Sequence, residues 1–142
     1  MEQTIRATGG CLCRAVRYEI RGELRDVVYC HCEQCRKTSG HFFAATACLS
    51  EYLTLVDDSG LRWYRSSAEA QRGFCGSCGA SLFWKPEHGG YIAITAGTID
   101  APTGLGSREH IYMADASDYH VIGDGLPQFP GDHDGLRGEG DR

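Results

Sequence analysis

The chain has 142 residues and a mass of 15.5 kDa, enough for one domain with a real hydrophobic core. Its 42% hydrophobic and 23% charged residues match an ordinary soluble protein and exclude wholesale disorder. A net charge of −5 and a pI of ≈ 5.6 argue against an electrostatic grip on nucleic acid.

The first residues carry no basic region followed by an apolar block, so no secretory signal is expected and the chain is assigned to the cytoplasm. Between residues 12 and 20, apolar Val16, Tyr18 and Ile20 alternate with Arg17 and Glu19, the period of a half-buried strand. Further β-rich runs cover 27–31, 42–49, 52–56, 61–64, 81–84 and 91–94. Turn residues separate them: Asp57-Asp58-Ser59-Gly60, the stretch 86–90, and Pro102-Thr103-Gly104. Residues 35–39 and 67–72 are each long enough for about a turn of helix. The longest apolar runs, such as 42–45, are four residues, far short of a membrane span. No Lys/Arg-rich amphipathic helix is available for a membrane surface either. Residues 1–130 therefore read as a single, mainly antiparallel β domain, and 131–142 as a flexible Gly-rich acidic tail.

The eight cysteines are the unusual part of the composition, and seven of them fall into three tight groups. Cys11 and Cys13 are two apart, so on an extended strand both sulfurs would lie on one face. Cys75-Gly76-Ser77-Cys78 has the form of a metal knuckle, with glycines letting the backbone curl around one ion. Two sulfurs from each pair make a tetrahedral four-thiolate set. Cys30, Cys32 and Cys35 form the middle group, and three thiolates this close most simply share one ion, leaving a fourth position open as catalytic zinc sites do. Spacing alone also allows Cys75 or Cys78 to complete the middle set, and it allows every metal to be structural. Disulfides are the rival reading, disfavoured in a reducing cytoplasm.

The remaining candidates have plainer readings. Cys48 reads as a small buried apolar residue, with a fourth-ligand role as the alternative. His31 lies between two cysteines and turns to the other strand face, as a packing or hydrogen-bonding residue. His41, His88, His110, His120 and His133 show no ligand spacing, and Trp63 and Trp84 read as core. Arg36 and Lys37 follow the last middle cysteine, either as solvated turn charges or as cations balancing an anionic site.

These groups in their surroundings resemble the glutathione-dependent formaldehyde-activating enzyme family. The resemblance is carried by Gly9-Gly10-Cys11-Leu12-Cys13-Arg14-Ala15-Val16-Arg17-Tyr18, Cys30-His31-Cys32-Glu33-Gln34-Cys35-Arg36-Lys37-Thr38-Ser39-Gly40 and Arg72-Gly73-Phe74-Cys75-Gly76-Ser77-Cys78-Gly79. Later matches are Ala96-Gly97-Thr98-Ile99-Asp100, His110-Ile111 and Gly125-Leu126-Pro127. At Arg14 many members have glycine, and at Tyr119 many have tryptophan. The resemblance implies a zinc-stabilised β-tent fold. It implies two Zn2+ per chain: a structural one on Cys11, Cys13, Cys75 and Cys78, and a second, more labile one on Cys30, Cys32 and Cys35.

It further implies a carbon–sulfur lyase that joins glutathione or a similar thiol to formaldehyde or a related aldehyde, or splits the adduct. Cys30, Cys32 and Cys35 are then the catalytic residues, and the partners are a small-molecule thiol and an aldehyde, with neither nucleic acid nor membrane. A non-catalytic zinc-scaffolded protein-binding module is the alternative, since ligand motifs record zinc sites and fold but not a second substrate. The physiological thiol, the pocket residues and the oligomeric state are not written in the motifs.

Overall fold

In the computed structural model, which describes residues 4–133, ten strands form two sheets. Strand β1 (Ala7–Gly10) pairs antiparallel with β2 (Arg17–Ile20), which in turn pairs with β5 (Leu53–Asp57), giving a three-stranded sheet. The larger sheet uses β3 (Val27–Cys30), β4 (Phe43–Leu49), β6 (Leu61–Arg65), β7 (Ala70–Cys75), β8 (Ser81–Pro86), β9 (Tyr91–Thr95) and β10 (Ser107–Ile111). Its seven strands run in the order β10-β3-β4-β9-β8-β7-β6, antiparallel throughout apart from the β10–β3 pair. The helix α1 (Glu33–Ser39) joins β3 to β4.

The alternation read between residues 16 and 20 holds: Val16, Tyr18 and Ile20 are all buried. They press on Leu82, Phe83, Ile92 and Ile94 of the large sheet, with Tyr18 edge-on to Phe83 at a ring separation of 5.6 Å. The Tyr18 hydroxyl, in hydrogen-bonding contact with Thr98 Oγ1 at 2.7 Å, satisfies its polar end within this core.

The central strands β4 and β9 are buried on both faces, which is why they read as continuous apolar runs. On β9, Ile92 and Ile94 face the first core, while Tyr91 and Ala93 belong to a second. On β4, Cys48 faces the first core, while Phe43, Ala45 and Ala47 face the second, together with Cys35 of α1. Pleating by twos thus gives the large sheet two working faces.

Several expectations need correction. Cys11 and Cys13 are not on a strand; they occupy the turn joining β1 to β2, where Arg14 adopts a φ of 71°. Cys30 ends β3, but Cys32 starts α1 as its N-cap, so these two do not share a strand face. Residues 67–72 do not form a helical turn, because β7 begins at Ala70 and pairs with both β6 and β8. Along with β7, the strands β1 and β10 lie outside the β-rich runs of the sequence: β1 contains two glycines and β10 carries Arg108, Glu109 and His110, compositions that propensity disfavours for strands. Trp63 lies on the edge strand β6 and is 39% exposed, so it is not core. At the C-terminal side, the Tyr112 N–H donates to the Gly131 carbonyl at 3.0 Å, and His133 meets the Glu109 carboxylate at 3.0 Å. Residues 134–142 of the expected tail lie outside the described residues.

Candidate metal centres and the cleft above one of them

The turn after β1 curls back on itself. The Cys11 N–H donates to the Val16 carbonyl at 3.1 Å, and the Val16 N–H donates to Cys11 Sγ at 3.2 Å. Opposite it, the chain leaving β7 makes the knuckle anticipated from its spacing. The N–H groups of Ser77 and Cys78 both point at Cys75 Sγ, at 3.4 Å each, and Gly79 takes a left-handed φ of 81° that lets its own N–H reach the Cys75 carbonyl. Gly60 locks the two pieces together: its N–H donates to the Ala15 carbonyl, and its carbonyl accepts from the Gly76 N–H. A Cβ at Gly60 would lie 2.7 Å from the Ala15 Cβ and 2.9 Å from Cys75 Sγ, so nothing larger than hydrogen fits.

The sulfurs of Cys11, Cys13, Cys75 and Cys78 consequently lie within 4.8 Å of one another. The Cys11–Cys13 and Cys13–Cys75 sulfur separations are both 3.7 Å. A tetrahedron of sulfurs ~2.3 Å from its centre has edges of ~3.8 Å, so the spacing suits a tetrahedral ion. Amide hydrogen bonds favour thiolates at two of these positions. Those from Cys78 and Ser77 lower Cys75, and those from Cys13 and Ala80 lower Cys78 to about 6. Cys13 is instead raised to about 11, its contact with the Ala15 amide outweighed by desolvation and by hydrogen bonds with Cys75, Cys11 and Cys78.

The second cluster lies on the other face of the large sheet. Cys30 arrives at the end of β3. Cys32 caps α1, its sulfur accepting the Cys35 N–H at 3.3 Å, and Cys35 is buried one turn in. The three sulfurs lie within 4.8 Å of one another. Without a cation they cannot all ionise. Hydrogen bonding from Cys30 and then Cys35 lowers Cys32, whereas the same contact with Cys32 raises Cys30. A set of soft donors that competes for one negative charge fits a thiophilic cation that would let all three shed their protons. Both clusters are therefore consistent with metal sites, one of four cysteines and one of three.

Above the three-cysteine cluster opens a cleft of ≈ 660 Å³. Phe43, Trp84 and Tyr91 give it apolar walls, and Arg72, Glu33 and Asp115 are among its polar groups. Trp84, expected in the core, is instead half-buried at this wall. Cys48, weighed as a possible fourth donor, belongs to the opposite core, where burial pushes its thiol up to about 12. It is a packing residue.

His31, as expected, turns away from the sulfurs. It is buried, stacks on Phe42 and shares a 2.8 Å hydrogen bond between its Nε2 and His110 Nδ1. His110 Nε2 in turn meets Asp124 Oδ2 at 2.8 Å. Burial, followed by repulsion from His110, lowers His31 to about 4, so it serves this chain as a neutral ring. Sequence spacing could not reveal the chain because its members are scattered over three segments; His110-Ile111 had stood out only within the resemblance. His41 contacts the Tyr119 hydroxyl through Nδ1 at 2.7 Å. Arg36 and Lys37 occupy the last turn of α1, where cations complement the helix dipole, and Arg36 Nε donates to the Asp115 carbonyl. The cation beside the sulfurs is Arg72, which the spacing did not single out; its Nη2 donates to Cys35 Sγ at 3.6 Å.

Residues 6–115 match the family described as glutathione-dependent formaldehyde-activating enzyme. A Schizosaccharomyces pombe protein named as an uncharacterized lyase is 32% identical over 81 residues, which is 57% of this chain and 58% of that protein. The chain thus spans little more than half the length of that curated relative. Among solved structures, the crystal structure of a Rhodobacter sphaeroides protein aligns with a TM-score of 0.57 at 19% identity, covering 86% of this chain and 98% of that one. At such identity the likeness concerns the fold.

Proposed function

Because the chain belongs to the glutathione-dependent formaldehyde-activating enzyme family, we propose that it is a zinc-dependent carbon–sulfur lyase acting on a thiol–aldehyde adduct. The observation that carries this reading is the contrast between the two clusters: four cysteines close one set, while three face a cleft with room for a substrate. Cys11, Cys13, Cys75 and Cys78 would hold a structural zinc, and Cys30, Cys32 and Cys35 the second. A zinc ion bound at the second set would supply positive charge that favours the thiolate form of an incoming thiol and polarises a carbonyl.

The reaction needs little else from the chain. The thiol sulfur gives up its proton and attacks the aldehyde carbon. A carbon–sulfur bond forms, the carbonyl π pair moves to oxygen, and oxygen takes up a proton to give the hydroxymethyl thioether; the reverse steps split it. The apolar walls of Phe43, Trp84 and Tyr91 would lower the local dielectric on one side of the reacting atoms and strengthen electrostatics there. Holding thiol and aldehyde together in one cleft supplies the proximity term, the main one available for so unhindered an electrophile. Glutathione and formaldehyde are the substrates the family name suggests. Eight free cysteines are in keeping with a reducing compartment, and the cytoplasm is the location proposed for the protein.

Exchange NMR on a formaldehyde–glutathione mixture tests the reading. The zinc-loaded protein should speed interconversion above the uncatalysed rate, and Cys32→Ser should abolish the gain. If the native protein gives no acceleration with glutathione or other small thiols, while both metals are present, the chain is a zinc-scaffolded binding module instead.

A further inference from the structure

Arg72 is a buried charge with no counter-ion in the ordinary sense. It extends from β7 on the face opposite Cys75 and is only 8% exposed. Its guanidinium carbon lies 5.7 Å from the centre of the Phe43 ring, and its Nη2 points at Cys35 Sγ. Its Nε is shielded from solvent and has no hydrogen-bond partner among the described residues. No carboxylate among them forms an ion pair with it, although Arg17, Arg21 and Arg65 on the surface each have one. Burying an uncompensated cation is strongly unfavourable, so a neighbouring anion is needed. The polar group it does reach is a sulfur of the three-cysteine cluster.

Charge arithmetic gives this contact a purpose. Three thiolates and a divalent ion sum to −1, and a guanidinium alongside brings the assembly to zero. A fourth donor arriving as a thiolate then meets a neutral assembly instead of a repelling one. The four-cysteine cluster needs no such device, because Cys13 is exposed and backbone amides from Val16, Ser77 and Cys78 point at its sulfurs.

We propose that Arg72 is the charge-compensating positioning residue of the three-cysteine site: its guanidinium takes the excess negative charge of the cluster as its counter-ion, holds Cys35 in place and admits an anionic fourth donor. This rests on reading the cluster as a metal site, but not on the lyase activity.

The test uses the full chain loaded with zinc, or with cobalt for its thiolate charge-transfer bands, as the native protein, Arg72→Met, Arg72→Gln and Arg72→Lys. A chelator removes the ions in stages, and the four-cysteine ion is the reference within each molecule. Both neutral variants should lose the three-cysteine ion about 10–100-fold more readily than native while retaining the other ion normally, as for outer partners of metal ligands generally. Arg72→Lys, which keeps the charge, should recover most of the retention. Glutathione titration of the loaded proteins should show weaker binding in the same order.

Unchanged retention in Arg72→Met and Arg72→Gln would overturn the proposal. So would a defect in Arg72→Lys equal to theirs, or loss of both ions together, either of which would make the residue structural. If the native three-cysteine cluster takes up neither zinc nor cobalt, the metal-centre reading falls and this proposal with it. If it takes them up and the neutral variants match native, only the role of Arg72 falls.

Discussion

Arg14 shows how a single backbone angle shapes the turn that carries two cysteines. Its φ of 71° lets the chain double back so that Cys11 and Cys13 present sulfurs 3.7 Å apart. An L-residue pays ~1–2 kcal/mol for that conformation, whereas glycine adopts it freely at some cost in unfolded-state entropy. Arg14→Gly should therefore raise stability by about 0.5–1 kcal/mol in urea denaturation of the metal-loaded protein. Arg14→Val should lower it by at least as much, because a β-branched side chain is least tolerant of the left-handed region. The glycine that the family resemblance leads one to expect at this position thus has a conformational reason. Arg72 is the opposite case: its residue type is ordinary, and its meaning comes entirely from a partner 37 positions away.

At the scale of elements, the N-cap residue of α1 combines two duties. The sulfur of Cys32 both caps the helix and joins the cluster. The two duties separate by substitution. In Cys32→Ser the hydroxyl still accepts the Cys35 N–H, so the helix start survives while the three-cysteine set loses a donor. In Cys32→Ala both are lost, with a further cost of about 1 kcal/mol. Metal stoichiometry should fall equally in the two variants, but only the alanine form should show the extra loss of thermal stability.

The elements also mark how far the sequence could be read. The cysteine groups, the knuckle and the alternation through Val16, Tyr18 and Ile20 were legible because each depends on neighbours a few residues away. β7 and β10 were not, since the neighbours that make Arg72-Gly73-Phe74 or Arg108-Glu109-His110 extended lie in other strands. The parallel β10–β3 pair, which brings His110 beside Tyr29 in register, leaves no local pattern at all.

For the molecule as a whole, the large sheet is a partition with a thiol cluster on either side. The four-cysteine set ties the first hairpin to the end of β7, far apart in sequence, so metal bound there counts as folding energy. The three-cysteine set draws on β3 and α1, which are adjacent in the chain, and contributes less to the fold. Staged chelation followed by calorimetry should show this order. Loss of the three-cysteine ion should leave a cooperative melt near the native temperature, and further loss of the four-cysteine ion should lower the melting temperature sharply or abolish the transition.

One strand serves both sides of the partition. β7 sends Arg72 to the cleft and, three residues later, Cys75 to the scaffold, its pleat deciding which goes where. The distance between them is thus counted in parity and not in ångströms. An insertion or deletion of one residue between them would aim a cation at the scaffold or a thiol at the cleft. Over evolutionary time this short stretch should keep its length, and the two sites can diverge in chemistry only while keeping step along the same strand.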